Sequence, residues 1–437
     1  MRFVTSAIER IQRVPYTFWV QFLSACIAAF LLEQAADWLV EKDSHETSQV
    51  AQSVFDISAV YQRLVTMGPR PPISHYTTIV EIDPEPEKDP LAVGYTSLCR
   101  QRAFLASLLE AVAKASPAVI VLDKYFDSSK CEGDEKEKED TAKLERALCL
   151  LAPQVPLVWG VDATPAEGHS RGTDTILAPP CAASLFHLAI VNLDRDTRRL
   201  PLHWTKAGKD IKDRTNDGWS LALRTAQQFD PNLLSKYRRL NTMVDRAENP
   251  YISFLKADQF AHLYAGEVLC LSEDYKKDPR CDKLPRRASG PPRLQDLSHQ
   301  IVVIGERAER EDNHNSIIGE VPGFYLQANY IEALLDDRVF RPVHPLINYI
   351  LGFLIFAAFE YILVNYSEKW WLALILIAAL LVVSVIVLYL AVVHLGYYLN
   401  PATVGLLAIG IALGHLAIAR SEGHGEPETP EAQHKGS

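Results

Sequence analysis

The chain of 437 residues lacks the short motifs on which most catalytic and cofactor-binding sites are built. It has no glycine-rich phosphate loop, no Gly-x-Ser-x-Gly elbow around a nucleophilic serine, and no close pair of cysteine or histidine residues with zinc-ligand spacing. These absences argue against a hydrolase, a nucleotide-binding enzyme and a structural zinc site. We therefore predict that the protein is not an enzyme and that it holds no metal and no cofactor.

Positive charge is also scarce, since the formal net charge is −10 and the pI is about 5.7. Nucleic-acid binding normally requires a basic patch or stripe that neutralises phosphates. No segment of this sequence is dense enough in lysine and arginine to form one. Nucleic acid is therefore excluded as a partner.

What the sequence does contain is a set of long apolar runs, one near the start and three near the end. We predict that they are transmembrane helices over residues 17–40, 345–366, 370–393 and 397–420. Each run is close to the roughly 20 residues that a helix needs to cross the hydrocarbon core of a bilayer. Trp19, Trp370 and Tyr397 lie at the ends of these runs, as anchoring aromatic residues do. The lipid bilayer is thus a predicted partner.

The distribution of basic residues predicts the orientation of these helices. Arg2, Arg10 and Arg13 precede the first run, whereas Glu33 and Asp37 lie at its far end. This pattern predicts a cytoplasmic segment over residues 1–16, an extracytoplasmic domain over 41–344 and a cytoplasmic tail over 421–437. The tail is polar and is expected to be disordered.

A second interpretation of the first run stays open. Leu23-Ser24-Ala25-Cys26 has the form of a lipoprotein cleavage box, which would make the run a signal segment. The run, however, continues as far as Leu32, where a signal segment would normally give way to polar residues. We favour an uncleaved transmembrane helix.

Cysteine is rare, with seven residues in the chain, and all but Cys26 lie in the predicted outer domain. These outer residues are Cys99, Cys131, Cys149, Cys181, Cys270 and Cys281. An oxidising compartment permits disulfides, and proximity in the sequence favours the pair Cys270–Cys281. Further candidate pairs are Cys99–Cys131 and Cys149–Cys181. The alternative is that these residues are buried free thiols.

The outer domain begins with a strand–helix–strand pattern. Residues 77–83 and 117–123 are β-branched runs that each end in an acid, and residues 98–116 carry apolar side chains at helical spacing. We predict a βαβ unit whose two strands are parallel neighbours in a mixed, mainly parallel sheet of an α/β domain.

Acidic residues at the ends of these strands are the candidate ligand-binding residues, because ligands of open α/β sheets bind beyond the carboxyl ends of the strands. The candidates are Asp83, Asp123 and Asp127, together with Asp312 in a later loop. A simpler interpretation exists for each acid, which is that it caps the following turn.

Further elements follow from the same patterns. We predict a charged loop over 130–143 leading into a helix that ends at 151, a strand over 156–161, a hairpin over 185–204, a helix over 217–229 with an aspartate or asparagine cap, a strand over 300–305, a polar loop over 306–320, and a helix over 324–335.

In this order the motifs resemble those of the type-two CHASE domain, the cyclase/histidine kinase-associated sensory extracellular domain of bacteria. The resemblance rests on Ile79–Asp83, Ala118–Phe126, Asn192–Leu202, Ile301–Gly305 and Pro322–Asn329. It extends from about Val50 to the end of the membrane region. It implies an α/β sensor domain with one transmembrane helix before it and three after it. Gln327 stands where the family usually has histidine.

The resemblance also implies a function, which is a sensor subunit in the inner membrane of a bacterium. Family proteins usually carry a cyclase, a kinase or another effector after the last helix, and residues 421–437 are too short to fold alone. We therefore expect a separate cytoplasmic effector that acts in trans, and a homo- or hetero-oligomer. The alternative function is a non-sensing membrane scaffold whose outer domain and helices assemble a multiprotein complex.

Two ionisable residues, Glu360 and His415, lie inside the predicted transmembrane helices. Such residues are costly in a bilayer and tend to face partners, so we propose that the two contact each other and couple helix packing to protonation. The alternative is that both reach the membrane surface. Gly410 and Gly414 form a small-xxx-small face that suits close helix packing.

Replacing Glu360 by glutamine removes the charge and keeps the size. We expect Glu360→Gln to weaken oligomerisation or signalling output while the outer domain stays folded, as measured by sedimentation in detergent and by circular dichroism. Glu368→Gln, in the predicted inner loop, is the matched control. Unchanged assembly and output in Glu360→Gln would contradict the intramembrane contact.

Overall fold

The computed structural model describes residues 74–92, 101–123, 135–151, 153–161, 186–193, 197–204, 218–285, 293–307, 313–316, 319–366 and 369–398. The chain divides into two compact units. One unit is Val65–Pro342, and the other combines Met1–Leu64 with Val343–Ser437.

The first unit is built on a six-stranded parallel sheet. The strands of this unit are β1 (Thr77–Ile82), β2 (Val119–Asp123), β3 (Leu157–Val161), β4 (Phe186–Ile190), β5 (Tyr251–Ile252), β6 (Ala261–Tyr264), β7 (Ile301–Glu306), β8 (Asn313–Ser316), β9 (Gly319–Pro322) and β10 (Val339–Pro342). The order across the sheet is β4-β3-β2-β7-β1-β6, and each neighbouring pair is parallel. The pairs β5–β10 and β8–β9 are antiparallel. This confirms the predicted α/β domain with a mainly parallel sheet.

Helices cover both faces of the sheet. They are α1 (Gln101–Ala113), α2 (Glu135–Leu151), α3 (Leu221–Phe229), α4 (Leu233–Lys236), α5 (Arg238–Asp245), α6 (Ala265–Cys270) and α7 (Gly323–Leu335). On one face, α1, α2 and α6 contribute Phe104, Leu144 and Val268 to a hydrophobic core. On the other face, α3 and α7 contribute Leu223 and Ile331 to a second core. Because both faces are covered, the inner strands β2, β3 and β7 are apolar along nearly their whole length.

β1 and β2 are parallel but they are not neighbours, which shows that part of the prediction was wrong. β7 lies between them, so that Val303 is opposite Ile79 on one side and Val121 on the other. Ile301–Ile304 is buried on both faces, and a strand of this kind is most stable at the centre of a sheet. A strand from late in the chain therefore takes the central place.

The hairpin predicted over residues 185–204 is also wrong. β4 pairs in parallel with β3. The segment after it makes single antiparallel bridges to other parts of the chain, from Arg199 to Tyr251 and from His203 to Trp219. The apolar residues of β4 extend the doubly covered sheet instead, which buries them on both faces.

Regular structure replaces parts of two predicted loops. The charged segment 130–143 lies largely within α2, which begins at Glu135, and pairs such as Lys143 with Glu139 at 3.4 Å support the helix. The predicted loop 306–320 includes β8 and the first half of β9, which pair as a hairpin.

The helix predicted over residues 217–229 is α3, and it begins later than expected. Its N-cap is Ser220, whose Oγ accepts a hydrogen bond from the backbone N–H of Leu223 at 3.2 Å. Serine thus has the capping role that we expected of aspartate or asparagine.

The predicted disulfide between Cys270 and Cys281 is confirmed, with the two Cα atoms 5.7 Å apart. It closes the loop that follows α6. Cys149 is disulfide-bonded as well. The remaining candidates, Cys99, Cys131 and Cys181, lie outside the described residues, so their pairings stay predictions.

The second unit contains α8 (Pro345–Tyr366), α9 (Trp370–Leu395) and the short strand β11 (Tyr397–Tyr398). The two helices pack against each other. Counted over the described residues alone, no helix combines the length and the apolar character that crossing a bilayer requires. The four transmembrane helices therefore stay a prediction, and the first of them, at 17–40, lies outside the described residues.

A buried carboxylate fixes α7 to the start of β1. Glu332 is fully buried, and it accepts hydrogen bonds from the backbone N–H groups of Tyr76 at 2.9 Å and Thr77 at 2.6 Å. The hydroxyl of Ser74 at 2.9 Å and the N–H of His75 at 3.3 Å complete the set. These four donors compensate the cost of burying the charge.

Glu332→Gln keeps the shape of this side chain but turns one oxygen into an amide donor that would face backbone N–H groups. We expect the free energy of unfolding of the α/β unit to fall by about 1–3 kcal/mol. The measurement is chemical denaturation of the full chain in detergent. Glu320→Gln, at an exposed position of β9, is the matched control and should change it by less than about 0.5 kcal/mol. Equal stability of the two variants would contradict the anchoring role.

Candidate functional site

Polar side chains gather at the carboxyl edge of the parallel sheet, around the ends of β1, β6 and β7. Their register aligns Glu81 with Tyr264 on one side and with Gly305 on the other. Parallel alignment thus brings residues that are far apart in the chain to one edge. We call the following group the edge cluster: Glu81, Asp83, Lys88, His262, Arg307 and Tyr325.

Glu81 is the centre of the edge cluster and is only 2% exposed. Its Oε1 accepts a hydrogen bond from Arg307 Nε at 2.6 Å, and its Oε2 lies 2.7 Å from His262 Nε2 and 3.5 Å from the hydroxyl of Tyr325. Burial alone would raise the pKa of Glu81, but the hydrogen bonds and charges of His262 and Arg307 outweigh it and lower the pKa. Glu81 is therefore held as a carboxylate at neutral pH.

Asp83 lies just beyond β1, has no exposed surface and contacts two cations. Its Oδ2 is 3.3 Å from Lys88 Nζ and 3.9 Å from Arg307 Nε. Its Oδ1 accepts a hydrogen bond from the backbone N–H of Glu85 at 2.9 Å, which is the turn-capping contact expected of an acid at a strand end. Arg307 thus lies between the two acids of the edge cluster.

His262 lies against two tyrosine rings. Its ring centroid is 4.9 Å from that of Tyr264, edge on, and 6.3 Å from that of Tyr325, with the planes only 19° apart. Burial raises the pKa of both tyrosines, and the negative charge of Glu81 raises it further. Both hydroxyls therefore stay protonated, and that of Tyr325 acts as a donor to Glu81.

A second buried acid ties the loop after β1 to α6. Asp89 Oδ1 accepts from the backbone N–H groups of Leu91 and Ala92, and its Oδ2 accepts from that of Gly266 at 2.9 Å. Position 266 requires glycine, because a Cβ there would lie 2.2 Å from Asp89 Oδ1. Burial raises the pKa of Asp89 to about 6, against the opposing effect of these hydrogen bonds. The charge of this contact therefore changes near pH 6.

Asp123 ends β2 at the same edge, two strands away from Glu81. It is paired in the sheet with Gly305, which is paired in turn with Glu81. Phe324 packs directly on Gly305, where a Cβ would lie 2.3 Å from the ring. This aromatic ring covers the strand that separates the two acids. A ligand-binding role for Asp123 stays a prediction.

The other predicted site residues lie elsewhere. Glu360 lies in α8. The remaining candidates fall outside the described residues and their roles stay predictions: Asp127, Asp312, Gly410, Gly414 and His415.

Gln327, at the position where the resemblance leads us to expect histidine, has a structural contact. It is buried in α7, and its amide donates to the carbonyl of Val191 at 2.8 Å. This bond joins α7 to the chain just after β4.

Sequence reasoning missed all members of the edge cluster except Asp83. Glu81 did give a signal, since a charged residue within the β-branched run of a buried strand requires a partner. His262 and Arg307 gave none, because each meets Glu81 only through the order of the strands.

The edge cluster pairs its charges internally, so a ligand has to displace a contact that already exists. An anionic group would compete with Glu81 or Asp83 for Arg307, a cationic group would compete for Glu81, and a proton would break the ion pair of Glu81. Within the described ranges, no group of acidic, histidine and cysteine side chains is arranged to hold a metal ion. The arrangement therefore suits exchange of ionic partners.

Comparison with known families identifies the family of the chain. Residues 25–385 match the family model of the CHASE2 domain, which includes the whole six-stranded sheet and the edge cluster. No curated protein and no solved structure matches the chain.

The pKa shifts of Asp89 and Glu81 have opposite signs and therefore predict opposite responses of stability to pH. The pKa of folded Asp89, about 6, lies above its usual 3.8, so this acid adds stability as the pH falls from about 7 towards 4. Its full effect is on the order of 3 kcal/mol. The pKa of folded Glu81 lies below its usual 4.5, so its contribution is complete above that pH and is lost at lower pH.

The measurement is chemical denaturation of the full chain in detergent between about pH 4 and 8. Asp89→Asn removes the first titration, so wild type should gain stability relative to this variant on acidification. Asp258→Asn, at an exposed position, is the control and should follow wild type. Parallel curves for wild type and Asp89→Asn would contradict the assignment.

Proposed function

We propose, from the premise that the chain belongs to the CHASE2 domain family, that it is the membrane-anchored sensor subunit of a signalling system. CHASE2 is a sensory domain of signalling proteins. In this proposal the outer domain responds to an extracytoplasmic ligand or partner. The change then passes through transmembrane helices to a separate cytoplasmic effector.

The observation that carries the proposal is the edge cluster. Charged side chains are costly to bury, yet several converge at the edge of a parallel sheet where ligands bind. Arg307 lies 2.6 Å from Glu81 and 3.9 Å from Asp83, so it has two acidic neighbours between which it can move. A ligand that binds one of these arrangements better than the other would shift the population between them.

α7 is the element best placed to transmit such a shift. Tyr325, in its first turn, contacts Glu81, and Glu332, near its other end, is fixed to the start of β1. Beyond α7 the chain continues through β10 directly into α8. Movement of Tyr325 would therefore act along the chain on α8, which coincides with the predicted transmembrane helix at 345–366.

Exposed apolar side chains on α8 and α9 are the observation that supports the membrane anchor. α8 has 22 residues and α9 has 26. Large apolar side chains are exposed on both, among them Leu346, Ile350, Leu354, Trp371, Leu381 and Ile386. Exposed apolar surface of this extent is typical of contact with lipid or protein.

The complete proposal adds the apolar runs at 17–40 and 397–420 to these helices. Four transmembrane helices would place both termini in the cytoplasm of a bacterium and residues 41–344 outside the inner membrane. The effector in trans and an oligomeric assembly belong to the same proposal.

One observation favours the scaffold as a second candidate. Both acids of the edge cluster already contact basic side chains of the same cluster, at 2.6 Å and 3.3 Å for the closest contacts. A network of this kind also occurs where it only holds a fold together. A scaffold would need no ligand at this edge.

The sensor proposal predicts ligand-dependent stabilisation of the full chain in detergent. Small organic acids, amines, sugars and divalent cations are screened by thermal denaturation. A ligand at 100 times its Kd stabilises by about 2.7 kcal/mol, which is a measurable rise in Tm. We expect at least one probe to raise the Tm of wild type and of Arg238→Gln, at an exposed position of α5, but not of Arg307→Gln.

The outcomes separate the two candidates. If no probe raises the Tm of wild type, the scaffold is favoured. If a probe stabilises Arg307→Gln as much as wild type, the protein binds that ligand away from the edge cluster.

A further inference from the structure

A second polar group lies on α3 and on β4, which is the outermost strand on the side of the sheet away from β1 and β6. Arg224 is in the second turn of α3, Trp219 comes just before that helix, and His187 is on β4. In the order of the sheet β4 is four steps from β1, or roughly 19 Å at about 4.8 Å per step. This group is therefore separate from the edge cluster.

Backbone hydrogen bonds hold the segment before α3 on two sides. The N–H of Ile190 donates to the carbonyl of Trp219, and the N–H of Trp204 donates to that of Gly218, both at 2.9 Å. With the backbone held in this way, the Trp219 ring lies against the guanidinium of Arg224, whose Cζ is 5.4 Å from the ring centroid. The plane and position of the guanidinium are thus defined by a fixed aromatic face.

Arg224 has no acidic partner among the residues that the structure describes. Its Nε is buried and makes no hydrogen bond. Two other partly buried arginines of the same domain each pair with an acid, Arg338 with Asp336 at 3.1 Å and Arg341 with Glu248 at 2.8 Å. The difference is informative, because a partly buried cation without a counter-charge is unfavourable.

His187 adds a second basic side chain to the group. The side chain of His187 forms a hydrogen bond with that of Gln228, which lies one turn after Arg224 on α3. Burial lowers the pKa of Arg224, and burial followed by the charge of Arg224 lowers that of His187. The contribution of the Arg224 charge to the pKa of His187 indicates that these two basic side chains lie close enough to interact.

We propose that Arg224, His187 and Trp219 form a binding site for a small oxyanion, which is a carboxylate, phosphate or sulfate group. The guanidinium offers parallel N–H donors that match two oxygens of such a group. A bound anion favours the protonated form of the nearby His187 imidazole, which then supplies a further N–H donor. The bound anion supplies the counter-charge that the described residues lack, and this role does not depend on the sensor function.

The test uses the purified full chain in detergent, titrated with inorganic phosphate, sulfate or succinate. Sodium chloride at equal ionic strength is the reference, and the readouts are tryptophan fluorescence and Tm. We expect saturable binding of at least one of the three anions to wild type. Arg224→Gln should weaken it at least about tenfold, because it removes charge-assisted hydrogen bonds. Arg146→Gln removes the same charge at an exposed position of α2 and should bind like wild type.

Two results would overturn the proposal. One is a wild-type response to the three anions no larger than the response to chloride. The other is equal affinity of wild type and Arg224→Gln. Arg224→Lys keeps the charge without the planar fork and should bind with intermediate affinity, so it replaces the glutamine variant if that variant does not fold.

Discussion

Insertion of β7 between β1 and β2 is the contact on which the rest of the α/β domain depends. Ile301–Ile304 is apolar along its whole length, and it is stable only where helices cover both faces of the sheet. In that position it brings Gly305 and Arg307 beside Glu81. Gly305 also leaves room for the ring of Phe324, so that α7 begins close against the sheet. The fold and the edge cluster therefore have the same origin.

Buried charges in this domain are compensated in different ways. The kind of partner distinguishes the acids that stabilise the fold from the acid at the centre of the candidate site. Glu332 and Asp89 accept mainly backbone N–H groups, which join α7 to β1 and α6 to the loop after β1. Glu81 depends instead on side chains, which can exchange partners without unfolding the backbone. Arg224 lacks an acid among the described residues. We expect ligands to bind where a buried charge can exchange its partner, as at Glu81, or lacks an oppositely charged partner in the part of the chain that the structure describes, as at Arg224.

The two proposed sites lie on elements that share one core. Tyr325 of the edge cluster belongs to α7, and Arg224 belongs to α3, which packs against α7 on the same face of the sheet. Ligand binding at the edge cluster or at Arg224 would therefore act on α7. This helix precedes the helices that we propose to enter the membrane. Membership of the CHASE2 family supplies the sensory role, and this packing suggests a route for it.

Local patterns in the sequence determined those elements whose stability depends on residues close together in the chain. The β-branched runs around Thr77–Ile82 and Ile301–Glu306 are strands, Gly323–Leu335 is a helix, and Cys270 and Cys281 are bonded, because each feature depends on residues close in the chain. Only the tertiary structure decided the strand order, and with it the meeting of the acid in β1 with an arginine from the end of β7. Strands can pair in many orders with equal hydrogen bonding, and burial of the whole sheet selects one of them.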